Sequence, residues 1–254
     1  MCALSTNPYV GPRPFKEEEW ELFFGREQEA EDLLSIVLAD RLVLFFAPSG
    51  AGKSSLLNTN LRRGLREAGF AVLPTARVSG DASAQAKNIF VYNLIFDLDK
   101  GQHDKTMLAP LSLADYLHHF QPPPLGEDGK QTKRQVLIID QFEEIFTTHP
   151  EAWEQREAFF EQLRQALDSN SDENARLWVV LAMREENVAA LERYKHLLPG
   201  KLRTRFYMQK LNHDAAMRAI MEPAAKGERP FESSLVAEEL VKNLSLIWAR
   251  DHER

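Results

Sequence analysis

The stretch RLVLFFAPSGAGKSSLL, residues 41–57, constrains the fold of this chain more than any other. An apolar run of strand length gives way to a short glycine-bearing loop, and the loop opens directly into a helical pattern. It matches G-x-x-x-x-G-K-[ST] except at the first position, where Ala47 stands in place of glycine. Such a loop needs a buried strand, a tight turn of backbone amides and a helix N-terminus, in that order, to converge N–H groups on a phosphate. The demand for glycine falls on Gly50 and Gly52, where the backbone approaches the ligand or takes a positive φ. The first position closes the strand, and alanine fits there at negative φ. In this reading Pro48, Ser49, Gly50, Ala51, Gly52, Lys53, Ser54 and Ser55 form the cradle. Lys53 is the point charge on the outer phosphates, and the Ser54 hydroxyl is a ligand for Mg²⁺.

A second motif, QVLIIDQFEEIF (135–146), is independent of the first. It reads as a buried strand ending in Asp140, a carboxylate placed to hold Mg²⁺, with Glu143 or Glu144 available to orient an attacking water. An acidic pair is also common at a helix N-terminus. That preference explains Glu143 and Glu144 but not why a carboxylate ends so apolar a strand. A third motif, RLWVVLAMRE (176–185), places Arg184 at the end of another buried strand, on the edge where ligands collect in open α/β sheets. From there a guanidinium can reach a terminal phosphate.

The remaining pattern supplies the frame. EQEAEDLLSIVLAD (27–40) is amphipathic at helical spacing, and the helix that begins at GKSS stops at Gly69. AVLPTARV (71–78) reads as a strand that Pro74 confines to a sheet edge, and 83–99 as a helix. SLADYLHHF (112–120) is a short helix with Ser112 as its N-cap, 121–134 is an exposed loop, and 151–168 is a long helix. RTRFYMQKL (203–211) contains a short fifth strand, and from His213 onward the pattern is helical only. Strands alternating with helices predict a three-layer α/β domain with a mostly parallel five-stranded sheet, followed by a small helical lid. The expected division is an N-terminal arm over 1–26, a core over 27–211, and an incomplete lid over 212–254.

Composition sets limits. The net charge of −7 and the absence of a long Lys/Arg run give no indication of a nucleic-acid surface, and Arg62, Arg63 and Arg66 read as a solvated helix face. The single cysteine, Cys2, allows no intrachain disulfide and fits a cytoplasmic protein, and no run is long enough for a membrane span. The seven histidines have no ligand spacing for zinc, and His118 and His119 read as one core-edge and one solvent residue. Tyr9, Phe15, Trp20, Phe23 and Phe24 read as anchors of the N-terminal arm.

FFGRE (23–27), APSGAGKSS (47–55), VLIIDQFEEIF (136–146) and VVLAMRE (179–185) together resemble the bacterial STAND NTPases, in particular the group called novel STAND NTPases. NPYVGPRPF (7–15) is similar to that group's lead-in, and the likeness covers roughly residues 7–245. The resemblance implies ATP or ADP with Mg²⁺ as ligands, held by the loop residues, with Asp140 as the Walker B aspartate. It also implies an acidic pair at Glu143 and Glu144, and Arg184 as a sensor. Gly25 and Arg26 would lie beside the base and ribose, and Pro223 would pack near the base. It implies slow hydrolysis and a switch in which ATP permits self-association, with sensor and effector regions beyond this stretch or on another protein, acting in signalling or antiviral defence. Two other readings remain open: an AAA+-like ATPase of DNA metabolism, and an interaction module in which nucleotide is a permanent structural ligand.

Overall fold

The computed structural model describes residues 7–80, 86–121, 134–169, 176–231 and 233–252. Its centre is a five-stranded sheet, all parallel, built from β1 (Leu42–Ala47), β2 (Ala71–Val72), β3 (Arg134–Ile139), β4 (Arg176–Arg184) and β5 (Arg205–Tyr207). The order across the sheet is β2-β3-β4-β1-β5, so β4 separates the strand of the phosphate loop from the strand of Asp140.

The strands read as unbroken apolar runs because both faces of the sheet are covered. Leu42, Leu44, Leu137, Ile139, Val179, Leu181 and Met183 face one buried cluster. Val43, Phe45, Ala47, Val136, Ile138, Trp178, Val180 and Ala182 face the other. The first face is covered by α3 (Ile89–Asp99), α4 (Leu113–Phe120) and α5 (Trp153–Ser169), through residues such as Phe90, Leu94, Tyr116, Phe159 and Leu163. The second is covered by α1 (Glu27–Ala39), through Leu33 and Val37, and by α2, in which Lys53–Leu56, a π-helical stretch Leu57–Leu61 and Arg62–Glu67 run on without a break.

Local chemistry fixes the ends of these helices. Asn88 caps α3 by accepting from the Phe90 and Val91 N–H groups, each at 3.1 Å, and Ser112 caps α4 by accepting from Asp115 N–H at 3.1 Å. α2 ends where Gly69 takes φ +82° and Phe70 N–H returns to the Leu65 carbonyl at 3.0 Å. Two further helices follow β5: α6 (His213–Lys226), capped by the Asn212 side chain on Ala215 N–H at 2.8 Å, and α7 (Ser234–His252).

The sheet has the five strands expected and is parallel throughout. Several details change. β2 is reduced to Ala71–Val72, followed past Pro74 by an isolated bridge from Ala76 to Ile139, and it lies at the sheet edge. The helix expected over 83–99 spans Ile89–Asp99, with 81–85 outside the described residues; most of the 121–134 loop also lies outside them. Arg62 is not part of a solvated face: it is buried, donating from Nη1 to the Leu73 carbonyl at 2.6 Å and from Nε to Glu17 at 3.0 Å. His118 and His119 are both exposed, because α4 packs through Leu113, Tyr116 and Leu117 instead. No helix among the described residues is long and apolar enough to cross a membrane.

Candidate phosphate-binding site

β1 delivers the glycine loop to the C-terminal edge of the sheet. Ala47 is its last residue, fully buried and outside the positive-φ region, so the strand closes without strain. Gly50 has φ +75° and Gly52 φ +98°. A Cβ at either glycine would meet no protein atom within 4 Å, so within the protein it is the positive φ that calls for glycine there. Ala51 N–H donates to the Pro48 carbonyl at 3.3 Å to close the turn, and Leu56 N–H to the Gly52 carbonyl at 2.9 Å to start the helix. Register then sets the neighbours. Ala47 pairs with Arg184 across β1 and β4, and Ile139, the residue before Asp140, pairs with Leu181.

These elements enclose a cleft of about 350 Å³, within the size range of small-molecule sites. Its lining includes Ser49, Gly50, Gly52, Lys53, Ser54 and Ser55 from the loop, Asp140 and Glu143 from the strand end, and Arg184 from β4. Lys53 Nζ donates to the Ala47 and Pro48 carbonyls at 3.0 and 3.1 Å. Burial pushes its ammonium below the usual lysine range, opposed by Glu143 and Asp140. Asp140 is 4% exposed and takes one bond from Gln141 N–H at 2.9 Å. Gln141 itself has φ +53°, an uncommon conformation for a side chain of its kind, on the lining of the cleft.

The two glutamates separate. Glu143 faces the cleft and is gripped by Arg184 twice, from Nε at 3.0 Å and from the backbone N–H at 3.2 Å. Burial nonetheless pushes its carboxyl above the usual range, and Arg184 and Lys53 oppose that shift. Glu144 is not on the lining of the cleft. It begins the short turn Glu144–Thr147, and its carboxylate accepts the Ser79 hydroxyl.

Other expected residues lie outside the cleft. Pro48 faces a separate groove with Glu185, Glu186 and Tyr207, and Ala51 packs on the core. Arg26 is 2% exposed and turned inward, pairing with Glu29 and donating from Nη2 to the Ala51 carbonyl at 2.9 Å. It braces the loop from behind, and its Nε is buried without a partner. Gly25, at φ +83°, sits where an added Cβ would come within 2.4 Å of the Ala215 carbonyl, so it admits the first turn of α6. Pro223 is buried within α6, where Gly227 N–H donates to its carbonyl at 2.9 Å. Ser55 has a second contact. It is on the lining, but its Oγ accepts from Phe15 N–H at 3.2 Å. The residues that sequence reasoning missed are Gly11, Pro12, Arg13 and Pro14, which form one wall of the cleft, and Gln141.

A parallel sheet with this loop, a carboxylate at the end of the next strand but one, and an arginine on the strand between them defines a P-loop NTPase. A profile described as Novel STAND NTPase 1 matches residues 8–250, and the chain belongs to that family. No curated protein matches it. The fold is similar to a Walker-type ATPase of Pyrococcus abyssi, with TM-score 0.61 and 17% identity over 91% of this chain and 65% of that one. It is also similar to the ORC2 protein of Aeropyrum pernix. The ADPNP–ADP complexes give TM-score 0.56 and 14% identity over 86% of this chain and 54% of that one. The ADP form gives 0.57 and 13% over 86% and 56%. The chain thus spans between about half and two-thirds of the length of these structures.

Proposed function

We propose that the chain binds ATP and Mg²⁺ in this cleft, hydrolyses ATP slowly, and acts as a nucleotide-controlled switch. The observation that carries the reading is the convergence of Lys53, Ser54, Asp140, Glu143 and Arg184 on one cleft beside the glycine loop. The donor set fits a magnesium ion: a buried carboxylate and a hydroxyl are hard oxygen ligands, of the kind that share Mg²⁺ with substrate phosphates. Asp140 and Ser54 would hold the ion, which when bound neutralises charge on the phosphates.

The chain's own residues divide the remaining work. The loop amides and Lys53 bind the phosphates, and an anion there restores to the ammonium the stabilisation that burial removes. Glu143 orients the attacking water and accepts its proton; burial and the grip of Arg184 keep it pointed into the cleft. Arg184 remains 53% exposed, so its guanidinium can also meet a terminal phosphate while its backbone N–H still holds Glu143. Exchange of Glu143 for glutamine tests the assignment. ATP binding should survive and hydrolysis should fall by about 10²–10⁴-fold, as for loss of a general base. Turnover equal to that of the unaltered protein would refute it.

The switch reading draws on the attachment of α6. This helix is tied to the N-terminal segment by Tyr9 Oη to the Ile220 carbonyl at 2.6 Å, Lys226 to Glu21 at 2.6 Å and Arg218 to Glu27 at 3.1 Å. Exposed ion pairs of this kind contribute about 0–1 kcal/mol each, so these two ion pairs hold α6 only weakly. α7 exposes Leu235, Val236, Leu240 and Leu244, an apolar stripe of the kind that meets another surface. A role in signalling or defence through ATP-dependent self-association, with sensor and effector regions elsewhere, accords with both features. Mass measured in solution with ADP and with a non-hydrolysable ATP analogue tests it, and an assembly indifferent to nucleotide would contradict it.

A further inference from the structure

We propose that Arg13, on the N-terminal arm, is a phosphate ligand of the cleft, and that Glu19 is the carboxylate it exchanges for phosphate. The inference rests on the reading of the cleft as a triphosphate site. Phe15 is pinned to α2 on both sides of its peptide, with its N–H donating to Ser55 Oγ at 3.2 Å and its carbonyl accepting from Asn58 Nδ2 at 3.2 Å. Its ring packs against Phe23, the centroids 5.2 Å apart. Two residues earlier, this anchor places Arg13 on the same lining as Lys53 and Arg184.

The charges of the cleft show why a further cation belongs there. Among the described residues its lining carries three cations: Arg184 pairs with Glu143 at 3.0 Å, Arg13 pairs with Glu19, and Lys53 has no carboxylate in hydrogen-bond contact. A triphosphate together with the carboxylates of Asp140 and Glu143 carries more negative charge than Lys53, Arg184 and one divalent ion balance. Arg13 is 44% exposed and is held in a two-point pair, Nη1 to Glu19 Oε2 at 2.7 Å and Nη2 to Oε1 at 2.5 Å. Glu19 is kept in place separately by accepting from Lys16 N–H at 2.8 Å, and Arg13 holds its carboxyl down to about 2. The guanidinium is therefore presented in the fork geometry that suits phosphate as well as carboxylate. An exposed pair is inexpensive to break, so a more highly charged ligand can take Arg13 from Glu19 while Phe15 keeps the arm in place.

The test is equilibrium binding of a fluorescent ATP analogue with Mg²⁺ to the full chain and to Arg13→Ala, Arg13→Lys, Glu19→Gln and Lys53→Ala, with thermal melting as a check on folding. Arg13→Ala should weaken binding by about tenfold, as for loss of a charge-assisted contact. Arg13→Lys should recover only part of that loss, and Glu19→Gln should bind as tightly as the unaltered chain or more tightly. If the Arg13–Glu19 pair served only to fold the arm, Glu19→Gln would weaken binding as much as Arg13→Ala, and that result would overturn the proposal. So would Arg13→Ala binding within twofold of the unaltered chain while Lys53→Ala loses at least about tenfold. Failure of the unaltered chain itself to bind would instead overturn the reading of the cleft, and the role of Arg13 with it.

Discussion

Replacing Gly25 with alanine puts a number on the contact between α6 and the rest of the molecule. Gly25 has φ +83°, and Gly69, at the end of α2, has φ +82°, so an alanine at either position pays about 1–2 kcal/mol for the left-handed conformation. The surroundings differ. At Gly69 the new methyl meets nothing within 4 Å; at Gly25 it arrives 2.4 Å from the Ala215 carbonyl, a backbone atom that cannot rotate away. Relief requires the first turn of α6 to move by about 1 Å, and overpacking of this kind costs about 1–3 kcal/mol. Gly25→Ala should therefore lose about 2–5 kcal/mol and Gly69→Ala about 1–2 kcal/mol, measured by urea unfolding. The excess should appear as faster hydrogen exchange in α6 rather than in the strands. Equal losses for the two variants, or protection of α6 unchanged in Gly25→Ala, would refute the argument that Gly25 is there to admit this helix.

Other outcomes follow from the site. Glu144→Gln should leave ATP turnover within a few fold of the original, because its carboxylate is turned to Ser79, whereas Glu143→Gln should nearly abolish it; steady-state phosphate release separates them. The raised Glu143 carboxyl carries a stability signature. Its favourable contribution is complete below the unfolded-state value and is lost as pH rises through the folded one, so at neutral pH the ionised group weighs against the fold. Denaturant titrations should find Glu143→Gln more stable than the parent at neutral pH, with the gap closing toward acid. Binding of ATP should raise the depressed Lys53 ammonium, giving net proton uptake at alkaline pH, and calorimetry in buffers of different ionisation enthalpy detects it.

Much of this was legible in the residues. Leu42–Ala47, 136–139 and 177–183 are apolar without alternation because both faces of a parallel sheet are covered, so the layers and the strands could be read directly. Gly50 and Gly52 announced the loop through the conformation it requires. The insertion of β4 between β1 and β3 carries no such signature, since strand order depends on crossovers rather than on any local pattern. Glu143 and Glu144 are neighbours in sequence, and only the turn that follows Asp140 decides that one enters the cleft and the other meets Ser79. Arg13 was hidden for a different reason. The arm has no period, and the bond that seats it joins Phe15 to Ser55, 40 residues away. The FFGRE motif singles out Arg26, but a buried guanidinium that braces the Ala51 carbonyl cannot be told from an exposed one by its motif.

The central claim is that the glycine loop and Lys53 make this cleft a nucleotide site. Isothermal titration of ATP with Mg²⁺ into the unaltered chain and into Lys53→Ala, both checked for folding, tests it most directly. The unaltered chain should show saturable one-to-one binding and Lys53→Ala a loss of at least about tenfold, the effect of removing one charge-assisted contact in a buried site. No binding to the unaltered chain, or equal affinity in the two proteins, would contradict it.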